Sequence, residues 1–195
     1  MKGLIYLNPF LYNLAVRVSY GGDFRTQYEL VAGNIENGWS VLDLCCGDCY
    51  LKKFLNETIK YEARDFNRTF IRHAKAKGIN ASYCDLKGGL REKKKFDCVI
   101  MMASLYQFIP EEDGIINSMK KTALKRVIIN EPIRNAVSSP NRFVSTLAKV
   151  VSNPGGQKMA EMKRFSADSL TALFERHGVT RLIDTKKTLI GIFDL

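Results

Sequence analysis

The sequence predicts an α/β fold built around a mostly parallel sheet. Short apolar runs typical of buried strands alternate with helical patterns along most of the chain, and this alternation is typical of βαβ units. With 195 residues, the chain is long enough for a single domain with a sizeable core. The predicted strands cover residues 40–45, 61–66, 81–84, 96–102, 126–130, 179–185 and 188–194.

The predicted helices between these strands carry clear end signals. Asn67 is placed to cap a helix over residues 68–77, and Ser166 is placed to cap one over residues 167–177. A glycine follows directly after each of these two helices, as is common at helix C-termini. Another helix is expected after Pro110, because acidic residues occupy its first turn.

Residues 1–195 are predicted to form one domain, and two of its segments lie outside the alternation of strands and helices. Residues 1–37 are predicted to form an N-terminal helical segment that closes over the site, although an ordinary loop explains the double glycine within it equally well. Its apolar part, residues 4–18, is too short and too interrupted by polar residues to span a bilayer. Residues 133–165 are predicted to be an insertion on the substrate side, either a lid or a core-capping helix.

The turn after the first strand is the most informative motif. The run from Asp43 reads Asp-Leu-Cys-Cys-Gly-Asp-Cys, and a helix-like stretch from Tyr50 follows at once. A strand, a tight turn of small residues and a helix N-terminus predict a ligand cradle of exposed backbone amides. A second acid, Asp65, lies at the end of the second predicted strand, where a carboxylate can bind ribose hydroxyls.

This order of motifs resembles the class I S-adenosylmethionine-dependent methyltransferases. The usual pattern of that family is an acid, an apolar residue and then Gly-x-Gly-x-Gly; here Gly47 is the middle glycine, and Cys45 and Cys49 replace the outer two. The resemblance covers residues 38–195. It implies a Rossmann-like, seven-stranded, mostly parallel sheet with helices on both faces and an antiparallel last strand.

The resemblance also implies S-adenosyl-L-methionine as the cofactor. Asp65 is expected to bind the ribose, and Asp85 the amino group of the adenine. No metal is expected, because the cysteines outside the turn form no second close pair of the kind that structural zinc sites show. The implied cofactor-binding residues are Asp43, Cys45, Cys46, Gly47, Cys49, Asp65, Phe66, Asp85, Leu86, Met102 and Ala103.

Methyl transfer from a sulfonium depends mainly on alignment of the nucleophile and exclusion of water. The candidate catalytic residues are Tyr106 and Glu131, on the loops after the fourth and fifth strands. Glu131 is the better base by its chemistry, and a structural role is the alternative. Residues 103–106 differ from the Asn/Asp-Pro-Pro-Tyr/Phe motif of enzymes that methylate bases, so a small-molecule or lipid acceptor is predicted.

Three alternative functions follow from other features of the sequence. The net charge of +10 favours either a solvated lysine-rich surface or an anionic partner, so an RNA methyltransferase is one alternative. The pair Cys46 and Cys49 has the spacing of a thiol redox motif. A nucleoside-binding relative without catalytic activity is the third.

The cysteine spacing shows no disulfide framework, which predicts a reducing cytoplasm. The oligomeric state is left open.

Overall fold

The computed structural model describes residues 23–133 and 164–195. The predicted helix over residues 4–18 and nearly all of the predicted insertion lie outside these ranges. The elements of the described ranges are α1 (Asp23–Ala32), β1 (Ser40–Leu44), the 3-10 helix η1 (Tyr50–Phe54), β2 (Lys60–Asp65), α2 (Arg68–Ala76), β3 (Asn80–Tyr83), η2 (Leu86–Gly88), β4 (Phe96–Met102), η3 (Leu105–Phe108), α3 (Glu112–Thr122), β5 (Ala123–Pro132), α4 (Ala167–Arg176), β6 (Arg181–Asp184) and β7 (Thr188–Asp194).

The strands form one seven-stranded sheet in the order β3-β2-β1-β4-β5-β7-β6. Strands β1 to β5 pair in parallel, whereas β7 runs antiparallel to both of its neighbours. The predicted mostly parallel sheet with an antiparallel last strand is therefore confirmed. The strand order reverses between β1 and β4, and a crevice for ligands is expected outside the carboxyl ends of strands at such a point.

The core lies on both faces of the sheet. Strand β1 is buried from Val41 to Leu44, as expected for a strand that is covered on each side. The apolar residues of α1 and α2 pack on one face, and those of α3 and α4 pack on the other. The prediction of helices on both faces is thus confirmed.

Several elements differ in length from the sequence prediction. Strand β5 begins at Ala123, three residues before the predicted start, and β6 is only four residues long. The helix-like stretch after the cysteine-rich turn is a 3-10 helix of five residues. The predicted caps are confirmed: Asn67 accepts a hydrogen bond from the amide of Thr69, and Ser166 forms a capping box with Ser169.

Gly191 in β7 is expected to tolerate no side chain. A Cβ at this position would lie 2.6 Å from Cδ2 of Phe174, which is fully buried. We expect Gly191→Ala to lower the free energy of unfolding by roughly 1–3 kcal/mol, because the packed ring has no space to move into. Urea unfolding measures this loss. Gly114→Ala is the control: its Cβ would meet nothing within 4 Å, and alanine is favoured in a helix. An equal loss in both variants would contradict this account of the packing.

Candidate functional site

A cavity lies at the carboxyl ends of β1 and β4, where the strand order reverses. Residues from α1, the turn after β1 and the end of β4 contribute to its wall. The cavity brings together six of the predicted cofactor-binding residues, and its other five lining residues come from α1, the turn and η1. Its lining residues are Phe24, Gln27, Tyr28, Asp43, Cys45, Cys46, Gly47, Asp48, Leu51, Met102 and Ala103.

The turn keeps the backbone of a glycine-rich loop although two of its glycines are replaced. Cys45, Gly47 and Cys49 have φ values of 55°, 54° and 59°, which lie in the left-handed region. Such a backbone costs a side-chain-bearing residue about 1–2 kcal/mol more than it costs glycine. The two cysteines therefore accept strain at the positions where the resembling family has glycine.

Asp65 connects the turn to the end of β2. Its carboxylate accepts hydrogen bonds from the amides of Gly47 (2.9 Å) and Asn67 (2.7 Å), and the side chain is buried. The amide of Cys46 donates to the carbonyl of Arg64. The expectation of a cradle of exposed amides is therefore wrong for Cys46 and Gly47, because both amides are used within the protein. Each oxygen of Asp65 keeps a second lone pair for a hydroxyl donor.

Asp43 lies buried beside the cavity, and the hydroxyl of Tyr61 donates to its Oδ2 over 2.5 Å. The pKa of Asp43 is raised to about 7: burial is the main cause, the hydrogen bond from Tyr61 opposes it, and the charges of Asp65 and Asp48 add to it. The neighbourhood of the turn is therefore rich in carboxylates, which favours a cationic ligand. The sequence analysis did not identify Tyr61, although its position opposite Val41 in the neighbouring strand follows from the register of the sheet.

Helix α1 covers the cavity through an aromatic cluster. Phe24, Tyr28, Tyr50 and Phe54 form successive ring contacts with centroid distances of 4.9 to 5.9 Å, and these contacts hold α1 against η1. Phe24 and Tyr28, together with Gln27, lie on one helical face because their spacing is three and four residues. This spacing was the available sequence signal for the three cavity residues of α1, which the sequence analysis did not identify.

Asn130 connects this helix to the sheet. Its Nδ2 donates to Oε1 of Gln27 over 2.8 Å, and its backbone carbonyl accepts from the amide of Ala103. Both amide side chains are buried, and Oδ1 of Asn130 has no hydrogen-bond partner among the described residues. An unpaired buried oxygen beside a cavity is a candidate acceptor for a ligand hydroxyl or amine. The sequence analysis missed Asn130, because its partner Gln27 is 103 positions away.

The other predicted cofactor-binding residues do not line the cavity. Cys49 is buried in the apolar core, and Phe66 follows β2 as a partly buried side chain. Asp85 is exposed and caps η2 by accepting from the amide of Lys87 over 3.0 Å, and Leu86 is buried. Their cofactor roles stay predictions.

Of the two predicted catalytic residues, Tyr106 follows β4 in η3, whereas Glu131 lies within β5 and not on the loop after it. Glu131 is fully buried; its Oε2 accepts from the amide of Leu105 over 2.8 Å, and its Oε1 has no partner among the described residues. Burial raises the pKa of Glu131 to about 8, although the charge of Arg164 opposes this effect. The carboxyl is therefore mainly protonated at neutral pH, which favours the structural alternative over the general base.

Tyr106 is also buried, and burial raises the pKa of its hydroxyl. The guanidinium of Arg164 lies over the Tyr106 ring, 3.4 Å from its centroid. Tyr106 belongs to the buried cluster against which Cys45 packs, so it lies on the side of the turn that lines the cavity. The sequence analysis did not identify Arg164, because the arginine is 58 positions from Tyr106 and belongs to no predicted motif.

The thiols of the turn are poorly suited to redox chemistry. A hydrogen bond to Cys49 and burial raise the pKa of Cys46 well above its ordinary value, and burial does the same for Cys45. Reactive redox thiols have a lowered pKa, so this geometry disfavours the thiol redox alternative.

In residues 23–133 and 164–195, no three His, Cys, Asp or Glu side chains are grouped as a metal site. Within the same ranges, no helix is long and apolar enough to cross a membrane.

Comparison with known sequences identifies the family. A profile of the family described as "Methionine biosynthesis protein MetW" matches residues 25–135, which is more than half of the chain. The chain belongs to the MetW family. The matched range contains nearly all of α1 and continues to the end of β5, so it includes all the described cavity residues except Phe24. A search among curated proteins found no match to this MetW-family chain.

Solved structures with the same fold include several methyltransferases. A SAM-dependent methyltransferase from Aquifex aeolicus shares 16% sequence identity with this chain at a TM-score of 0.58. The match covers 95% of this chain and 97% of the Aquifex chain. Magnesium protoporphyrin IX methyltransferase from Synechocystis PCC 6803, solved with bound SAH, shares 17% sequence identity at a TM-score of 0.58. That match covers 93% of this chain and 85% of the Synechocystis chain. The DhpI-SAM-HEP complex shares 18% identity at 0.61, with 97% of each chain covered. The predicted Rossmann-like methyltransferase fold is confirmed.

Proposed function

We propose that this MetW-family protein binds S-adenosyl-L-methionine in the cavity and transfers its methyl group to a small-molecule acceptor. The charge of the site supports this proposal most strongly. Asp43, Asp48 and Asp65 surround a turn in which the amides of Cys46 and Gly47 are already used. A sulfonium and an ammonium group gain from these carboxylates, whereas the pyrophosphate of a dinucleotide is repelled by them. Bound SAM or SAH in neighbours of the same fold agrees with this assignment.

The described residues supply hydrogen-bonding groups for such a cofactor. Asp65 retains lone pairs for the ribose hydroxyls, and Oδ1 of Asn130 is an unpaired acceptor near the wall of the cavity. Met102 and Ala103 line the cavity at the end of β4, while Asp85 and Leu86 are assigned to the adenine side on the resemblance alone. S-adenosyl-L-methionine supplies an electrophilic methyl group on a good leaving group.

The chain then has to orient the acceptor and exclude water. Helix α1 covers the cavity with Phe24 and Tyr28, which shields it from solvent. Glu131 fixes the start of η3 through the amide of Leu105 and thereby positions Tyr106 in the cluster against which Cys45 of the turn packs. We therefore assign Glu131 a positioning role and Tyr106 an orienting role toward the acceptor.

RNA is the second candidate acceptor, because the exposed side of α2 is strongly basic. Arg68, Arg72 and Lys75 all lie exposed there, and Arg68 stacks 4.4 Å from the ring centroid of the exposed Tyr83. Aromatic and cationic side chains of this kind bind single-stranded nucleic acid. RNA binding at low salt that weakens steeply with added salt would favour this acceptor.

A panel of cofactors tests the proposed function. We expect S-adenosyl-L-methionine and S-adenosylhomocysteine to raise the melting temperature, because a ligand that binds only the folded state adds about 2.7 kcal/mol of stability at one hundred times its dissociation constant. NAD and ATP, as anionic controls, are expected to give no shift. Stabilisation by NAD or ATP without stabilisation by either sulfur ligand would overturn the proposal.

A further inference from the structure

We infer that Arg164 and Tyr106 form an anion-binding subsite for the methyl acceptor, and that the acceptor carries a carboxylate or phosphate group. This inference rests on the proposed function, since it names the chemistry of the acceptor for the same site. Arg164 lies outside all the sequence motifs that predict the cofactor site.

The backbone around Arg164 is fixed from its C-terminal side. Phe165 is buried in the core, and Ser166 caps α4 through the capping box with Ser169. Arg164 itself is half-buried, and its guanidinium lies on the ring of Tyr106. Stacking of this kind orients the planar guanidinium, which carries five N–H donors, more than an interaction with the Tyr106 hydroxyl can use.

The position of this pair is next to the cofactor cavity. Cys45, which lines the cavity, packs against the buried cluster that contains Tyr106. Ala103, three residues before Tyr106 in the chain, lines the same cavity. A row of contacts therefore leads from Cys45, in the turn after β1, to Tyr106 and from there to Arg164. A group held by Arg164 would therefore lie beside the expected methyl donor, on the side of β5.

Within residues 23–133 and 164–195, no carboxylate neutralises the positive charge of Arg164 through a salt bridge. The arginine is nevertheless close enough to Glu131 to influence that carboxyl. Oε1 of Glu131 is buried and lacks a hydrogen-bond partner among the described residues. With a pKa of about 8, Glu131 is mainly neutral at pH 7 and does not cancel the charge of the arginine. A partly buried guanidinium beside an unpaired polar group favours an oxyanion, which accepts two parallel hydrogen bonds from it.

Side-chain NMR of the ¹⁵N-arginine-labelled full chain tests this subsite. Acetate and inorganic phosphate are titrated in separate experiments at pH 7 and constant ionic strength, with and without S-adenosylhomocysteine. We expect the Arg164 Nε resonance to shift saturably with one or both anions, and Arg164→Gln to weaken the binding at least tenfold. Arg164→Lys should retain part of the affinity, because it keeps the charge and loses the planar fork. Acetate alone would indicate a carboxylate acceptor, and phosphate alone a phosphate acceptor.

Arg126→Gln is the matched control, because Arg126 is also half-buried and lies over an aromatic ring, 5.4 Å from the centroid of Trp39, but is paired with Asp194. Its substitution should leave anion affinity unchanged. An Arg164 resonance that moves with neither anion, or equal anion affinity in wild type and Arg164→Gln, would overturn the inference. Affinity for S-adenosylhomocysteine is measured in the same samples and should change less than twofold in Arg164→Gln. Absence of that binding in the wild type would instead count against the proposed function.

Discussion

Asp65→Ala is expected to lower the affinity for S-adenosylhomocysteine at least about 100-fold and to destabilise the fold. The substitution removes the carboxylate that accepts from the buried amides of Gly47 and Asn67, and it removes the predicted ligand of the ribose. Hydrogen bonds to charged groups contribute about 1.5–3 kcal/mol each, so we expect a loss of roughly 3 kcal/mol in the free energy of unfolding. A 100-fold loss of affinity corresponds to about 2.7 kcal/mol. Calorimetric titration and urea unfolding measure the two effects.

Two further variants make this test specific. Glu62→Ala removes an acid from the same strand. The partners of Glu62 are the exposed Lys94 and the partly buried Arg64, which keeps a second ion pair with Glu92, so we expect a loss of less than about 1 kcal/mol and unchanged affinity. Asp65→Asn keeps one oxygen acceptor and should lie between wild type and Asp65→Ala. If Asp65→Ala bound the ligand as tightly as Glu62→Ala, the assignment of the ribose site would be wrong.

Glu131→Gln is expected to flatten the dependence of stability on pH. The folded-state pKa of Glu131 is about 8, above the value of 4.5 for a free carboxyl. The folded protein therefore holds a proton that the unfolded chain releases, so the contribution of Glu131 to stability is greatest below pH 4.5 and is lost as the pH rises through 8. Each pH unit in this window costs up to about 1.4 kcal/mol. Asp43, with a pKa of about 7, contributes a loss in the same direction.

Urea unfolding at pH 5, 6, 7 and 8 measures this dependence. The wild type should lose stability steadily over the series, and Glu131→Gln should lose less because the contribution of Glu131 is removed while those of the buried Asp43 and Asp65, whose pKa values are also raised, remain. Glu62→Gln is the control: the pKa of Glu62 is lowered by its cationic partners, so Glu62 is ionised in both states over this range. Equal slopes of unfolding free energy against pH in wild type and Glu131→Gln would show that Glu131 is ionised in the folded protein. That result would favour Glu131 as a general base.

The fold was predictable because each step of the argument was local. The apolar run of β1, the cap Asn67 and the capping residue Ser166 determine their elements within a few positions, and the structure has all three. The ends of strands were less predictable. Strand β5 begins early because its first residues pair with β4 across a register shift, and that pairing depends on the sheet rather than on the local sequence.

The candidate site was predictable where one motif encodes it. Asp43, Cys45 and Gly47 line the cavity, and both cysteines at glycine positions adopt the left-handed backbone that the motif requires. The missed residues depend on contacts between distant segments. Tyr61 is 18 positions from Asp43, and Gln27 is 103 positions from Asn130. Pairs of this kind become visible only when the sheet and α1 are assembled.

Titration calorimetry with S-adenosylhomocysteine tests the central claim most directly. The account predicts one binding site per chain at pH 7, with binding weakened strongly in Asp65→Ala and unchanged in Glu62→Ala. Absence of binding to the folded wild-type chain at millimolar S-adenosylhomocysteine would contradict the assignment of the cavity at the carboxyl ends of β1 and β4.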